Sequence, residues 1–331
     1  MVEKVYSNPD IFKIYVPLPN NPLKNLNSLV IRTGKEDMII DTGFNMDECY
    51  EALTEGLKEI GVAPNGKNTI YFLTHMHSDH IGLMPRLITD DTKIYMGAFE
   101  YQQLTKSQSK SKWERDENRF LKEGFPMSEI LIARETNPAR KFAPGKLFNA
   151  ITLEDGEKFK VGDYEFTAIL TPGHTPGHMC LYMEKEKILF SGDHVLFDIT
   201  PNITCWAVMK DSLASYLEAL KKVRKLDIKT CFPAHRHNDM DTYVRIDEIL
   251  AHHDARLNNT LDVMRQSPGS TAYEIAGAMK WKLRGRNWAE FPVAQKWFAM
   301  GETLSHLDYL YLRGKIRFEE IDGVKRYWVN D

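Results

Sequence analysis

The stretch "THMHSDHIG", residues 74–82, holds three histidines and an aspartate within six positions: His75, His77, Asp79 and His80. The apolar run "NTIYFLTH" that leads into it is typical of a buried strand, and "IGLMPRLI" after it predicts a new helix. A single histidine is usually a structural residue, but four potential metal ligands in one strand-to-helix turn predict a metal site.

The remaining histidines are also clustered along the chain. Eight of the eleven fall in four short windows: His75, His77 and His80; His174 and His178; His194; His235 and His237. His174, Asp193 and His235 follow the strand-like runs "YEFTAIL", "KILFSG" and "DIKTCFP". A rigid sheet brings such strand ends from distant positions to one place, so we expect the four turns to converge.

The spacing within the first window divides its side chains into two sets. Residues i and i+2 of an extended turn point the same way, so His75 and His77 can bind one cation, while Asp79 and His80 face a second. The other three histidines, His252, His253 and His306, lie in helical segments and are interpreted as structural.

The order of predicted elements divides the chain into two domains. Residues 1–245 carry short β-rich runs and a helix from near Asn45 or Asp47 to Gly61, with a polar helical insertion at 98–150. That insertion either covers the mouth of the site or is a solvated excursion. Residues 246–331 predict three helices and a hairpin with Asp322-Gly323 at its turn, a winged-helix-like pattern.

The composition is that of an ordinary globular protein. With 331 residues, 43% of them hydrophobic, the chain can bury a core, and its net charge of −3 implies no polyanionic partner. The N-terminus lacks a secretory apolar stretch and no run reaches the ~18 residues of a membrane helix, so we expect a cytoplasmic protein without membrane contact. The four cysteines form no C-x-x-C pair and indicate neither disulfides nor a thiolate zinc site.

Five ordered motifs over roughly residues 10–240 resemble those of the metallo-β-lactamase superfamily of hydrolases. They are "IIDTG" at 39–43, H-x-H-x-D-H at 75–80, "GH" at 173–174, "SGD" at 191–193 and "PAH" at 233–235. The resemblance implies an α/β fold, a four-layered αββα sandwich, here followed by the small winged-helix-like domain. One departure is that "PAH" stands where many members have glycine before the histidine.

The resemblance also implies a role for each site residue. His75, His77 and His174 would bind a first metal ion, Asp79, His80 and His235 a second, and Asp193 would bridge the two. Asp41 would orient ligands by hydrogen bonds. The pattern leaves His178, His194 and His237 between an orienting or substrate-facing role and a structural one, and His237 is an alternative ligand to the favoured His235.

Two divalent cations ~3.5–4 Å apart can share a bridging hydroxide, because coordination lowers the pKa of water from ~15.7 toward ~7. Asp79 would then be the catalytic residue that orients this hydroxide and passes its proton to the leaving group. Zinc is the first choice for this donor set, although iron and manganese accept the same ligands.

Three functions follow from such a site. The favoured one is hydrolysis of a small-molecule ester, thioester or lactone, with the tail packed on the core or forming a homo-oligomer contact. The alternative is an endoribonuclease acting on single-stranded RNA, because the tail is similar to the winged-helix domain beside such enzymes. The third is a metal-binding regulator without catalysis.

The charge of the tail bears on the nuclease alternative. Residues 245–331 hold 13 Lys and Arg against 12 Asp and Glu, a weak basis for nucleic-acid binding. The stretch "KWKLRGRNW", residues 280–288, either contacts phosphates and bases or is a solvated loop with its tryptophans in the core.

Overall fold

The computed structural model describes residues 1–107, 110–281 and 287–330. Backbone contacts divide it into two compact units. The first unit is Met1–Thr105, Pro138–Pro201 and Ala219–Ile246, and the second is Lys106–Asn137, Asn202–Glu218 and Asp247–Asp331. The segment 106–137 of the helical insertion therefore shares its unit with the C-terminal elements. The domain division at 245 and 246 stays a prediction.

The first unit contains two β-sheets. The larger has seven strands in chain order, antiparallel from β1 to β4 and parallel from β4 to β7. These strands are β1 (Val2–Tyr6), β2 (Asp10–Pro17), β3 (Asn25–Arg32), β4 (Asp37–Ile40), β5 (Thr69–Leu73), β6 (Lys93–Gly97) and β7 (Ile151–Leu153). The second sheet has the order β12-β11-β10-β9-β8, with a parallel β11–β12 pair. Its strands are β8 (Lys158–Val161), β9 (Tyr164–Leu170), β10 (Met179–Met183), β11 (Ile188–Gly192) and β12 (Thr230–Pro233).

The helices connect these strands and build most of the second unit. Those in the described ranges are α1 (Asp47–Glu59), α2 (Ser78–Ile81), α3 (Met84–Leu87), α4 (Ala98–Ser107), α5 (Lys110–Lys122), α6 (Met127–Thr136), α7 (Pro138–Lys141), α8 (Ser212–Val223), α9 (Thr242–Gln266), α10 (Ala272–Ala278) and α11 (Val293–Leu312). Helix α1 begins and ends within two residues of the predicted bounds, with Cys49, Leu53 and Leu57 buried at helical spacing.

The alternation of side chains along the strands explains the layers of the first unit. In the fully buried strand β5, Ile70 and Phe72 pack in a core formed by both sheets, whereas Tyr71 and Leu73 pack in a second core with α1. On the other sheet, Lys222 of α8 donates to the carbonyl of Leu170 at the end of β9. The predicted α/β sandwich of two packed sheets with helices is thereby confirmed.

The second unit ends in the predicted hairpin. Strands β13 (Ile316–Ile321) and β14 (Val324–Val329) pair antiparallel. Asp322 and Gly323 both have positive φ, +51° and +78°, as a two-residue type I′ turn requires. Helix α10 begins with a capping box between Thr271 and Glu274.

Two further predictions, on membrane contact and on the basic stretch at 280–288, can be compared with the described residues only. Among the described residues, none of the helices combines the length and the apolar composition of a membrane-spanning segment. The basic stretch at 280–288 lies partly outside the described residues, which omit 282–286.

Candidate metal centre

The histidine-rich turns all lie at the ends of strands of the first unit. His75, His77, Asp79 and His80 follow β5, and His174 lies between β9 and β10. Asp193 and His235 follow the parallel strands β11 and β12, and Asp41 follows β4. The structure brings these turns together into three overlapping groups of metal-ligating atoms, each within 4.8 Å of one another: His75, His77 and His174; His75, His80 and Asp193; Asp79, His80 and His235.

The first group is a triad of imidazoles. His77 Nδ1 lies 3.0 Å from His75 Nε2 and 3.0 Å from His174 Nε2. A tetrahedral cation with Zn–N bonds of ~2.05 Å would place its ligand nitrogens ~3.3 Å apart, close to this spacing. His75 Nδ1 contacts Thr74 Oγ1 at 3.0 Å, so Nε2 is the nitrogen that it turns toward the group.

The group of Asp79, His80 and His235, called the second group below, joins two imidazoles and a carboxylate. Asp79 Oδ2 lies 3.4 Å from His235 Nε2 and 3.8 Å from His80 Nε2. The far nitrogens are held from behind: His235 Nδ1 lies 2.8 Å from the carbonyl of Asn25, and His80 Nδ1 lies 2.8 Å from Asp41 Oδ2. Such contacts fix the tautomer and leave Nε2 as the lone pair for a ligand.

Asp193 lies between the two groups. Its Oδ2 is 3.4 Å from His174 Nε2, and its Oδ1 is 3.4 Å from His235 Nε2 and 3.7 Å from His80 Nε2. One oxygen therefore faces each group, which is the arrangement that a bridging carboxylate needs.

Several buried atoms at this point have no hydrogen-bond partner within the described part of the chain. His80 Nε2, His235 Nε2 and Asp193 Oδ1 are buried and make no hydrogen bond there. Native proteins rarely leave buried polar atoms unsatisfied. A divalent cation would satisfy all three, and a set of five imidazoles and two carboxylates suits it, so the residues present fit a metal.

The electrostatics of the two groups differ. Burial, and next the charge of neighbouring histidines, lowers the pKa of His75 and takes that of His77 to about 3, so both keep a lone pair at neutral pH. Burial alone would also lower the pKa of His80, but the carboxylates of Asp41, Asp79 and Asp193 outweigh it and raise the value to about 10. The second group thus has the stronger attraction for positive charge.

Asp41 makes the contacts expected of an orienting residue. Its Oδ1 accepts the backbone N–H of Thr74 at 2.9 Å, and its Oδ2 accepts the Thr74 hydroxyl at 2.7 Å. Asp41 thus contacts His80 directly and is linked to His75 through the hydroxyl of Thr74. Asp41 has a φ of +59°, a left-handed conformation that is uncommon for residues with a side chain and that occurs often at functional sites.

The three histidines without an assigned role take different places. His178 Nε2 accepts the backbone N–H of Asp193 at 3.1 Å, and its Nδ1 contacts Thr171 Oγ1 at 2.7 Å. His194 is fully buried, with a ring centroid 6.1 Å from that of His178, and burial lowers its pKa to about 3. His237 is exposed and belongs to none of the ligand groups found among the described residues.

Two polar side chains that hold the turns were missed by sequence reasoning. Asn27 in β3 donates to the carbonyls of Pro233 and Arg236 on either side of His235, at 3.2 and 2.9 Å. Glu100 accepts backbone N–H groups from two of the histidine-rich turns. Neither residue lies in a histidine window, and no local pattern could have identified it.

A further ligand group lies in the second unit and is better explained as a hydrogen-bond network. His253, Glu302 and His306 are buried together, with His253 Nδ1 3.2 Å from His306 Nε2. Both Glu302 oxygens have partners, Arg256 Nε at 3.1 Å and Asn202 Nδ2 at 2.8 Å. A guanidinium so close opposes a cation, which agrees with the structural interpretation of these histidines.

Known protein families match both parts of the chain. A family model described as "Metallo-beta-lactamase superfamily" matches residues 22–235, which include Asp193 and the six other residues of the three ligand groups. A second, described as "Metallo-beta-lactamase-like, C-terminal domain", matches residues 287–330.

Individual relatives are similar over most of the chain. The "Probable metallo-hydrolase YqjP" of Bacillus subtilis is 24% identical over 96% of this chain and 95% of its own. "Atrochrysone carboxyl ACP thioesterase dmxR1" of Cryptosporiopsis sp. is 25% identical over 93% of this chain and 81% of its own. "Lactamase-like protein adaB" of Aspergillus niger is 26% identical over 74% of this chain, which spans 60% of the relative's length.

A solved structure extends the likeness to three dimensions. A metallo-beta-lactamase family protein from Thermus thermophilus superposes with a TM-score of 0.79 at 27% identity, covering 97% of this chain and 98% of that one. The likeness therefore includes the C-terminal elements as well as the two sheets.

Proposed function

This chain belongs to the metallo-beta-lactamase superfamily, and we propose that it is a metal-dependent hydrolase that cleaves an ester, thioester or lactone of a small molecule with two divalent cations. The observation that best supports two cations is Asp193, whose oxygens face two separate ligand groups. The proposed ligands are His75, His77 and His174 for one cation, Asp79, His80 and His235 for the other, and Asp193 for both.

Among these bonds we place the thioester first. The fungal relative described as an ACP thioesterase matches this chain almost from end to end. Its description supports an acyl substrate. That this chain itself acts on an acyl group bound to a carrier is part of the proposal.

Zinc is the proposed metal because imidazole and carboxylate donors suit it. Bound cations would lower the pKa of a water toward ~7 and polarise the scissile carbonyl. Asp79 is the proposed catalytic residue. Its Oδ2 faces His235 and His80. The other oxygen of the carboxylate would then be available to accept the proton of an attacking water and carry it to the leaving atom.

The winged-helix-like interpretation of the C-terminal part supports the alternative, an endoribonuclease acting on single-stranded RNA. Three helices followed by a hairpin fit it. The near balance of charge in residues 245–331 counts against it, because backbone binding to nucleic acid needs a basic face.

The decisive experiment is a hydrolysis screen of the zinc-loaded protein against acyl-thioesters, lactones, phosphodiesters and single-stranded RNA, each with and without chelator. We expect chelator-sensitive cleavage of a thioester or lactone and no cleavage of RNA. RNA cleavage with steeply salt-dependent binding, and no ester cleavage, would establish the nuclease instead. A protein that binds zinc and cleaves nothing would be the regulator, and the proposal would fail.

A further inference from the structure

We infer that Glu100 is a positioning residue that sets the geometry of the His75, His77 and His174 triad, an inference that rests on the metal binding proposed above. Glu100 is fully buried near the start of α4. Its Oε1 accepts the backbone N–H of Met76 at 2.8 Å, and its Oε2 accepts that of Gly177 at 2.7 Å. One carboxylate thus spans two separate turns.

The two amides that it holds lie within the ligand turns. Met76 separates His75 from His77, and Gly177 lies three residues after His174. The first turn follows β5 in the seven-stranded sheet, and the second joins β9 to β10 in the other sheet. The distance between His77 and His174 therefore depends on how the two sheets pack. Glu100, which lies in α4, fixes this distance by holding both turns.

The backbone packing leaves little freedom at this contact. A Cβ atom at residue 177 would lie 2.4 Å from the backbone nitrogen of Glu100, so only glycine lets the turn lie against the start of α4. Besides Glu100, the hydrogen bond from Met179 N to the carbonyl of Thr74, 2.9 Å, also ties the two turns. That bond lies outside the segments 75–77 and 174–177, so it cannot by itself orient the imidazoles.

The role requires a carboxylate rather than an amide. Two oxygens can each accept an N–H, whereas a glutamine offers one oxygen and one NH2, and the NH2 would face a backbone donor. Glu100→Gln keeps the size of the side chain but loses one of the two ties. Glu100→Asp keeps the charge but is one methylene too short to span both turns.

The first test is metal affinity, measured by competition with a chelator of graded concentration and by the absorption of bound Co²⁺. We expect both Glu100 variants to lose about 10- to 100-fold in affinity, the range found when groups that orient ligands are removed. The matched control is Glu123→Gln, which alters a buried glutamate of the second unit that accepts from Tyr327 and Lys325. It should keep the affinity of the unaltered protein.

The second test needs no metal. Hydrogen exchange of the metal-free protein should show the amide of Met76 or of Gly177 exchanging at least about tenfold faster in Glu100→Gln. Unaltered metal affinity in folded Glu100→Gln, or an equal loss in Glu123→Gln, would overturn the inference. If Glu100→Gln does not fold, Glu100→Asp decides in the same way. If the unaltered protein binds no metal, the proposed function fails. The exchange measurement still tests whether Glu100 holds the amides of Met76 and Gly177.

Discussion

At the scale of single residues, His235 and His237 show how backbone conformation decides which of two neighbouring histidines faces the candidate metal site. In an extended turn, residues two apart point the same way, as His75 and His77 do. Arg236 instead has a φ of +66°, a left-handed conformation that reverses the chain between the two histidines. His235 is consequently buried in the second group, while His237 is exposed.

A pair of alanine variants tests this choice of ligand. His235→Ala should remove an imidazole from the second group and lower kcat/KM by at least about 100-fold, together with a loss of bound metal. His237→Ala should change neither quantity by more than about twofold. The measurements are metal content after dialysis and hydrolysis of the substrate found in the screen. Equal losses in the two variants would show that His237 shares the role.

At the scale of elements, each ligand turn is held by a polar side chain from elsewhere in the first unit. Asp41 holds the turn after β5, Glu100 links that turn to the one after β9, and His178 holds the backbone of Asp193. Asn27 holds the turn after β12. These contacts lie behind the ligands, so the geometry of the site is a property of how the strand ends pack.

The packing of the turn after β11 can be tested by replacing the glycine that ends this strand. Gly192 has a φ of +51°, and a Cβ there would lie 2.6 Å from His178 Nε2 and 2.9 Å from the Cβ of Thr74. Gly192→Ala should lower the free energy of unfolding by about 3 kcal/mol, since a strained backbone and an overpacked site each cost about 1–2 kcal/mol. Denaturant unfolding measures it.

The control for this substitution separates strain from crowding. Gly156 also has a positive φ, +79°, but a Cβ there would meet no atom within 4 Å. Gly156→Ala should therefore cost only the backbone term, about 1–2 kcal/mol. Equal losses of stability in the two variants would show that His178 moves aside for a Cβ at residue 192. The packing around His178 would then not hold the backbone of Asp193 in place.

At the scale of the whole molecule, buried neutral histidines make folding sensitive to acid. In the second unit, burial lowers the pKa of His306 to about 3 and that of His253 well below its ordinary 6.5. Between pH 6.5 and about pH 3, the unfolded chain takes up protons on these histidines that the folded chain does not. The stability that depends on them is complete above pH 6.5 and is lost as the pH falls toward 3.

A single substitution should reveal this dependence. His306→Asn keeps a donor for the carbonyl of Glu302 but cannot be protonated, so the free energy of unfolding should fall less steeply below pH 6.5. The slope should decrease by about 1.4 kcal/mol per pH unit, the value for one proton. Denaturant unfolding of the metal-free proteins from pH 7 to pH 4 measures it. An unchanged slope would mean that His306 is already protonated in the folded protein.

The sequence by itself determined the class of fold and the chemistry of the donors. Apolar and β-rich runs predicted strands, and the histidine windows at their ends predicted a metal site, because both signals lie within a few consecutive residues. The Asp322-Gly323 turn and the bounds of α1 were predictable for the same reason.

Only the tertiary structure decided how those donors are held. Glu100 and Asn27 act on backbone groups 24 or more residues away along the chain, and His178 reaches Asp193 from a neighbouring strand end. Such contacts depend on the register and packing of two sheets, which no short pattern encodes. The residue types of the site were therefore readable along the chain, while its geometry came from segments that meet only after the sheets have packed.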